Sequence, residues 1–304
     1  MNVAITGGNG FIGSHLSKMI NDLGHKVIFI SRTKQKITNK MHFSFEDFFL
    51  LKINMNIDCF IHLASPNYDF ASDDSLEEGI THLTSKILKV LSKYNCEKLI
   101  FFSSAKIYGE PSLIGKNIFH EDSKPEPISD YGKQKLRAEK KIIEYANNSE
   151  LDYLIYRMPM VYGPSNNSNI NKLLELIEKS YPFILFKNMS HLKKSLVSIE
   201  NIKLYIKHNL QNPDTIKCNI FNVTDEKSIC LNEFIMEHKK NTNSNTLIIT
   251  LPYLFLTIFS KIPFLGNYFI KLYGQFEISN KNIKNAYKIE CLDTFNCIVQ
   301  MNHE

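Results

Sequence analysis

The chain has 304 residues, 43% hydrophobic and 22% charged, which fits a folded chain with ample core and excludes disordered, collagen-like and disulfide-scaffold organisation. Formal net charge is +5, yet only three of the 36 basic residues are Arg (Arg32, Arg137, Arg157), so their positions bear on phosphate recognition. The positive excess is spread along the chain with no basic stripe, which argues against a nucleic-acid partner.

Residues 2–6 (NVAIT) form an apolar run expected of a strand covered on both faces, and the stretch MNVAITGGNGFIG has neither the basic start nor the cleavage site of a signal peptide. Apolar residues then recur at helical spacing over 10–23, and Gly24 stops the helix. Strands are predicted at 26–30 (KVIFI), 42–45, 58–63 (DCFIHL), 98–103 (KLIFFS) and 151–157 (LDYLIYR), with long helices over 73–93 and 129–148 between them. After a polar loop at 163–171 the alternation weakens. Helices are expected at 171–180 and 199–211, a strand at 219–223 (NIFNV), and a less regular, more helical remainder from about 226. The stretch 247–265 (LIITLPYLFLTIFSKIPFL) is strongly apolar, but Pro252, Lys261 and Pro263 make it too broken for a transmembrane segment. It reads as a short helix opening at Pro252 and packing on a core or dimer face; peripheral contact with a membrane surface is the alternative. The six cysteines form no CxxC pair, and no Cys/His run has zinc spacing, so no metal is expected and the thiols suit a reducing, cytoplasmic compartment.

This β-α-β succession predicts an α/β fold, a Rossmann-type doubly wound parallel sheet with right-handed crossovers, followed by a smaller, mostly helical C-terminal lobe. Directly after the first strand, Thr6-Gly7-Gly8-Asn9-Gly10-Phe11-Ile12-Gly13 has the spacing TGxxGxxG and opens a helix. Such a turn lets backbone N–H groups approach a pyrophosphate and lets helix and strand pack closely, so a dinucleotide is expected here. The second strand ends Ile30-Ser31-Arg32-Thr33-Lys34, with no carboxylate for a ribose 2′-hydroxyl. Ser31 and Arg32 suit a 2′-phosphate, which favours NADP(H) over NAD(H); Arg32 stacked on adenine or facing solvent is the alternative.

Two further features point to proton and hydride transfer. The fifth strand ends Ser103-Ser104-Ala105-Lys106-Ile107-Tyr108-Gly109, and the next helix carries Tyr131-Gly132-Lys133-Gln134-Lys135, a YxxxK motif. At i and i+4 the Tyr and Lys share a helix face, and an ammonium beside a phenol is expected to lower its pKa. The Tyr could then pass a proton to or from a hydroxyl, with Ser104 holding the same oxygen.

With these motifs the chain resembles the extended short-chain dehydrogenase/reductase family, in its nucleotide-sugar epimerase, reductase and dehydratase branch. The resemblance rests on TGGNGFIGSH (6–15), DCFIHLAS (58–65), FFSSAKIYG (101–109), YGKQK (131–135), YRMPMVYGP (156–164) and KSLVSIENI (194–202). It implies Tyr131, Lys135 and Ser104 as catalytic residues. It implies a cofactor site of Gly7, Asn9, Gly10, Phe11, Ile12, Gly13, Ser31, Arg32, Leu63, Ala64, Ser65, Ser103, Tyr131, Lys135, Met158 and Pro159, with Arg157 beside the nicotinamide. Pro66, Asn67, Ser104, Lys106, Lys194 and Lys271 are the substrate candidates, the last two because lysine stands where relatives meet phosphate. Asn166, Asn167 and Asn169 in the loop after the sixth strand could also bond phosphate or sugar. A solvated Lys193–Lys194 pair is the alternative reading. His62 is expected to be structural. The expected domains are 1–165 with about 195–225 for NAD(P), and 166–194 with 226–304 for substrate; homodimerisation through 73–93 and 129–148 is implied as well.

Departures from the family pattern are informative. Where dehydratases carry an acidic pair after the fifth strand, this chain has Ala105 and Lys106, so a 4,6-dehydratase is not expected. Where many members carry Asn in the long helix, Ile80 stands. The expected function is an epimerase or 4-ketoreductase acting at C4 of a nucleotide-activated sugar. The alternatives are an NADPH-dependent reductase of a small non-nucleotide carbonyl and a non-catalytic NADP-binding sensor.

Overall fold

A computed structural model describes residues 1–32, 41–65, 79–114, 118–164, 169–263 and 265–294. In chain order the elements are β1 (Asn2–Thr6), α1 (Phe11–Asp22), β2 (Lys26–Ser31), β3 (Met41–Ser44), α2 (Phe45–Phe49), β4 (Cys59–His62), α3 (Ile80–Leu91), β5 (Lys98–Ser104), β6 (Ile118–Phe119), α4 (Asp130–Ala146), β7 (Asp152–Met158) and β8 (Met160–Tyr162). There follow α5 (Asn169–Glu178), β9 (Phe183–Phe186), β10 (Lys193–Lys194), β11 (Leu196–Ser198), α6 (Ile199–Gln211), β12 (Asn219–Asn222), β13 (Ile229–Cys230), α7 (Leu231–Asn241), β14 (Ile248–Leu251), α8 (Tyr253–Phe259), α9 (Leu265–Tyr273), β15 (Glu277–Ile278) and α10 (Lys281–Tyr287). The chain divides into two compact units: Met1–Gly109 with Lys124–Arg157 and Lys203–Phe221, and Glu110–Ser123 with Met158–Ile202 and Asn222–Glu304.

The first unit is built on a seven-stranded sheet in the order β12-β7-β5-β4-β1-β2-β3. Pairing is parallel from β3 through β2, β1 and β4 to β5. The doubly wound α/β fold expected from the alternation is therefore present. The reason lies in the strands themselves: β1, β4 and β5 are buried almost end to end, so each needs a helical layer on both faces. Phe48, Phe60, Phe101, Ile87, Leu91 and Ile142 fill the core under α3 and α4. Strand order reverses between β1 and β4, where Thr6 pairs in register with His62, and crevices at such reversals are where open α/β sheets bind ligands.

Two elements depart from the sequence pattern. Residue 45, expected to end a strand, instead opens α2, because Ser44 accepts from Asp47 N–H at 3.0 Å while the Asp47 carboxylate accepts from Ser44 N–H. Of the helix expected over 73–93, the stretch 80–91 is α3; residues 73–78 lie outside the described positions.

The second unit pairs short strands from distant segments: β9 with β14, β8 with β11, β6 with β15 and β10 with β13. Its polar centre is Asp225, a buried carboxylate that accepts from Tyr162 Oη (2.6 Å), Ser198 N–H (2.8 Å), Asn201 Nδ2 (2.7 Å) and Thr294 Oγ1 (2.8 Å). Burial pushes its pKa up and these donors pull it back. Pro252 precedes α8, as the sequence implied. Among the described residues no helix is long and apolar enough to cross a membrane.

Candidate active site

The glycine-rich turn runs from β1 into α1. Gly7 has φ +71°, and a Cβ there would stand 3.0 Å from Ala64 N, so the turn lies against Leu63-Ala64. A Cβ on Gly13 would come within 2.3 Å of the Gly7 carbonyl. Gly10 leads into α1 with no side-chain cap, which leaves the first N–H groups of the helix, those of Phe11, Ile12 and Gly13, without intrahelical acceptors. A cradle that only glycine permits, bordered by uncommitted N–H groups, fits a pyrophosphate. At the end of β2, the Ser31 hydroxyl lies 2.9 Å from His42 Nε2, and Arg32 is exposed.

Beneath the turn, His62 is fully buried and hydrogen-bonded on both ring nitrogens. Its Nδ1 lies 2.8 Å from Thr6 Oγ1 and its Nε2 lies 3.1 Å from Thr84 Oγ1. Thr84 spends its own proton on the Ile80 carbonyl at 2.7 Å, so Nε2 must be the protonated nitrogen. Thr6 then donates to Nδ1 while accepting from Ala64 N–H at 3.2 Å. Burial, aided by the Lys135 charge, drives the imidazole pKa down to about 3, so it stays neutral. The structural role expected for His62 matches this geometry.

Tyr131 and Lys135 lie one turn apart on α4. Gly132 allows the approach: a Cβ there would stand 2.6 Å from the Lys106 carbonyl, so α4 presses on the turn Ala105–Tyr108 that follows β5. Burial raises the Tyr131 pKa, and the nearby Ser104 and then Ser65 hydroxyls pull it part of the way back. Ser65 Oγ is itself buried and closes no full hydrogen bond. The Lys135 amine donates to the Phe102 carbonyl at 2.6 Å and sits 4.7 Å from the Phe101 ring centroid and 5.7 Å from that of Tyr131. Here the structure differs from the expectation that the ammonium lowers the phenol. Desolvation lowers the Lys135 pKa to about 7, partly countered by Glu139, and the amine is aimed at backbone.

A buried network behind Lys135 was not foreseen. Glu139 accepts from Arg157 Nη2 at 2.7 Å and from Arg157 Nε at 3.2 Å to each oxygen, and the Ser103 hydroxyl also donates to it. Arg157 Nη1 donates to Tyr108 Oη at 2.8 Å. Arg157, expected beside a nicotinamide, is thus occupied by Glu139 and Tyr108, and the Ser103 hydroxyl is turned to the same carboxylate. Gln134, inside the YxxxK motif, accepts from Ile80 N–H at 2.8 Å and so caps α3 from α4. A Cβ on Gly79 would collide with that amide at 2.1 Å.

The remaining candidates are placed as follows. Asn9 and Gly10 lie in the turn, Lys106 is half-buried in the turn after β5, Met158 is buried at the end of β7, and Pro159 follows it. In the second unit Lys194 donates to the Lys271 backbone carbonyl, which brings the two candidate lysines together, and burial lowers the Lys194 pKa to about 8. Pro66, Asn67, Asn166 and Asn167 lie outside the described residues, and so does the Asn169 side chain.

Comparison with known proteins adds a family match, two relatives and two solved structures. The family model described as "NAD dependent epimerase/dehydratase family" matches residues 3–223. The UDP-glucose 4-epimerase of Vibrio cholerae is 26% identical over 299 residues, covering 93% of this chain and 89% of that protein. An N-acetyl-alpha-D-glucosaminyl-diphospho-ditrans,octacis-undecaprenol 4-epimerase of Escherichia coli O157:H7 is 26% identical over 199 residues, covering 64% of this chain and 58% of the relative. Among solved structures, the UDP-N-acetylglucosamine 4-epimerase of Bacillus cereus has a TM-score of 0.74 at 17% identity, covering 100% of this chain and 96% of that one, which shows a shared fold. The Bacillus cereus UDP-glucuronic acid 4-epimerase, solved with NAD, has a TM-score of 0.72 at 18% identity, covering 99% and 97%.

Proposed function

The chain belongs to the NAD dependent epimerase/dehydratase family, and from that premise we propose that it is a 4-epimerase of a nucleotide-activated sugar. The observation that carries this reading is Tyr131 one helical turn from the buried Lys135 amine, with the Ser104 hydroxyl close enough to hold the phenol pKa down against burial. The relative from Vibrio cholerae, named for UDP-glucose and matched across most of both chains, supports a nucleoside-diphosphate carrier. A polyprenyl-diphosphate carrier is the second reading, favoured by the Escherichia coli relative.

In this proposal the first unit holds the dinucleotide. The Gly7–Gly13 cradle takes the pyrophosphate, and Leu63 and Ala64 border it. A bound nicotinamide dinucleotide would supply the hydride acceptor and, when oxidised, a positive ring charge beside the phenol. Tyr131 takes the proton of the sugar 4-hydroxyl and later returns it, while Ser104 fixes that oxygen. Lys135, titrating near neutrality, anchors α4 to the Phe102 carbonyl one turn from the phenol, and Glu139 keeps it partly protonated. Ser31 and exposed Arg32, with no carboxylate beside them, favour NADP(H) over NAD(H). Lys194 and Lys271 in the second unit are the proposed phosphate contacts, and α3 and α4 the proposed homodimer face.

The test is to incubate the purified protein with UDP-glucose and UDP-N-acetylglucosamine without added reductant and resolve C4 epimers chromatographically. Tyr131→Phe should slow epimerisation about 100- to 10,000-fold with unchanged thermal melting. An unslowed variant refutes the mechanism. Stoichiometric NADPH oxidation seen only with a 4-keto sugar replaces epimerase by reductase.

A further inference from the structure

We infer that the α8–α9 hairpin is a docking surface for an anionic lipid bilayer, a property separate from the catalytic reading. α8 buries Leu256 but turns Leu254 (65% exposed), Phe255 and Ile258 to solvent. The face of a surface helix opposite its core is ordinarily charged; here both faces are apolar. The hairpin continues the same surface through Ile262, Leu265 (53% exposed) and Tyr268 (58% exposed). The strand that feeds α8 adds to it. Ile249 of β14 and Ile184 of β9 are register partners, hence on one face, and both are exposed. Soluble chains seldom leave so many large apolar groups together in water without a use for them.

The hairpin is held in shape from within. Phe259 and Phe269 pack ring to ring at 5.2 Å, and a Cβ on Gly266 would stand 2.1 Å from the Ser260 carbonyl, so α9 closes tightly on the end of α8. With seven and nine residues, neither helix can span a bilayer, and an interfacial position is the geometry open to them.

Charge selects the occupant. From Asn241 to Phe276 the sequence has no Asp or Glu, and its only charges are Lys261 and Lys271, both exposed. Lys261 sits at the turn between the two helices, among the outward apolar groups. In a two-fold contact between copies, this face would meet itself with lysines and no carboxylate to receive them. An anionic headgroup layer receives Lys261 while the acyl boundary receives Leu254, Phe255, Ile258 and Leu265.

The experiment is flotation of the full-length protein with vesicles of phosphatidylglycerol and phosphatidylethanolamine, against vesicles of phosphatidylcholine alone. Binding is expected to the first, weakened by salt, and not to the second. Leu254→Glu with Leu265→Glu should reduce the partition coefficient by about a hundredfold or more. Lys261→Gln should reduce it by about fivefold. Thermal melting should be unchanged, because all three side chains are exposed. Failure of the wild type to bind the anionic vesicles overturns the inference, as does equal binding by the double variant. If sedimentation instead shows an oligomer that the double variant dissolves, a second copy covers this face and the lipid assignment is wrong.

Discussion

Lys135→Met removes a buried charge and keeps the volume, and its consequence can be followed through pH. In the unfolded chain this amine titrates near 10.5; folded, desolvation brings it to about 7. Below pH 7 both states hold the proton, and the wild type carries the full penalty of burying an ammonium. Between 7 and 10.5 the unfolded state binds one more proton than the folded state, so wild-type stability rises with pH relative to the variant. The slope is about 1.4 kcal/mol per pH unit, and therefore about 3 kcal/mol between pH 7 and 9.5. Urea unfolding of both proteins at several pH values measures it. Subtracting one curve from the other cancels other titrating groups, including Lys194, whose pKa is also lowered. Parallel curves would refute the assignment of a depressed pKa to Lys135. The lost hydrogen bond to Phe102 O changes the offset of the curves and leaves the slope untouched.

Three further outcomes are expected. Glu139→Gln leaves Arg157 buried without a counter-ion and should cost about 3–5 kcal/mol in denaturant unfolding, with the activity profile shifted to lower pH as Lys135 loses its stabilising carboxylate. Gly132→Ala places a methyl 2.6 Å from the Lys106 carbonyl and should lower stability by about 1–3 kcal/mol while displacing Tyr131, seen as reduced kcat with little change in KM. Arg32→Asp should weaken NADP(H) binding roughly 10- to 100-fold and improve NAD(H) binding, measured by nucleotide fluorescence; unchanged preference would detach Arg32 from the ribose.

The first unit was readable because its signals are local. Glycines end the apolar run of β1 and the helical spacing of α1, β2 is a plain apolar run, and the TGxxGxxG turn and YxxxK helix are each contained in a few consecutive residues. What escaped was mostly long-range. Nothing near Gln134 says that its amide caps a helix 54 residues away, and the Glu139–Arg157 pair joins a helix to the next strand. The side chain of Arg157 was correctly placed at a strand end, but its direction depends on Glu139 and Tyr108, which the pattern does not couple to it. In the second unit, β9 pairs with β14 and β6 with β15 across large separations, so the short strands carry no recognisable alternation. The exception is α2, whose Ser44-x-x-Asp47 signature was present and local.

The hydrogen bonds through His62 all run in one sense from each ring nitrogen: Ala64 to Thr6 to the imidazole, and the imidazole to Thr84 to Ile80. Such a chain makes three distant sequence positions behave as a single unit of inheritance. Losing the hydroxyl at 84 strands a ring proton, losing the one at 6 strands a lone pair, and changing 62 alone strands both. Residues 6, 62 and 84 can drift only together, so in variant libraries this crevice floor should tolerate coordinated triple replacements better than any one of the single changes they contain.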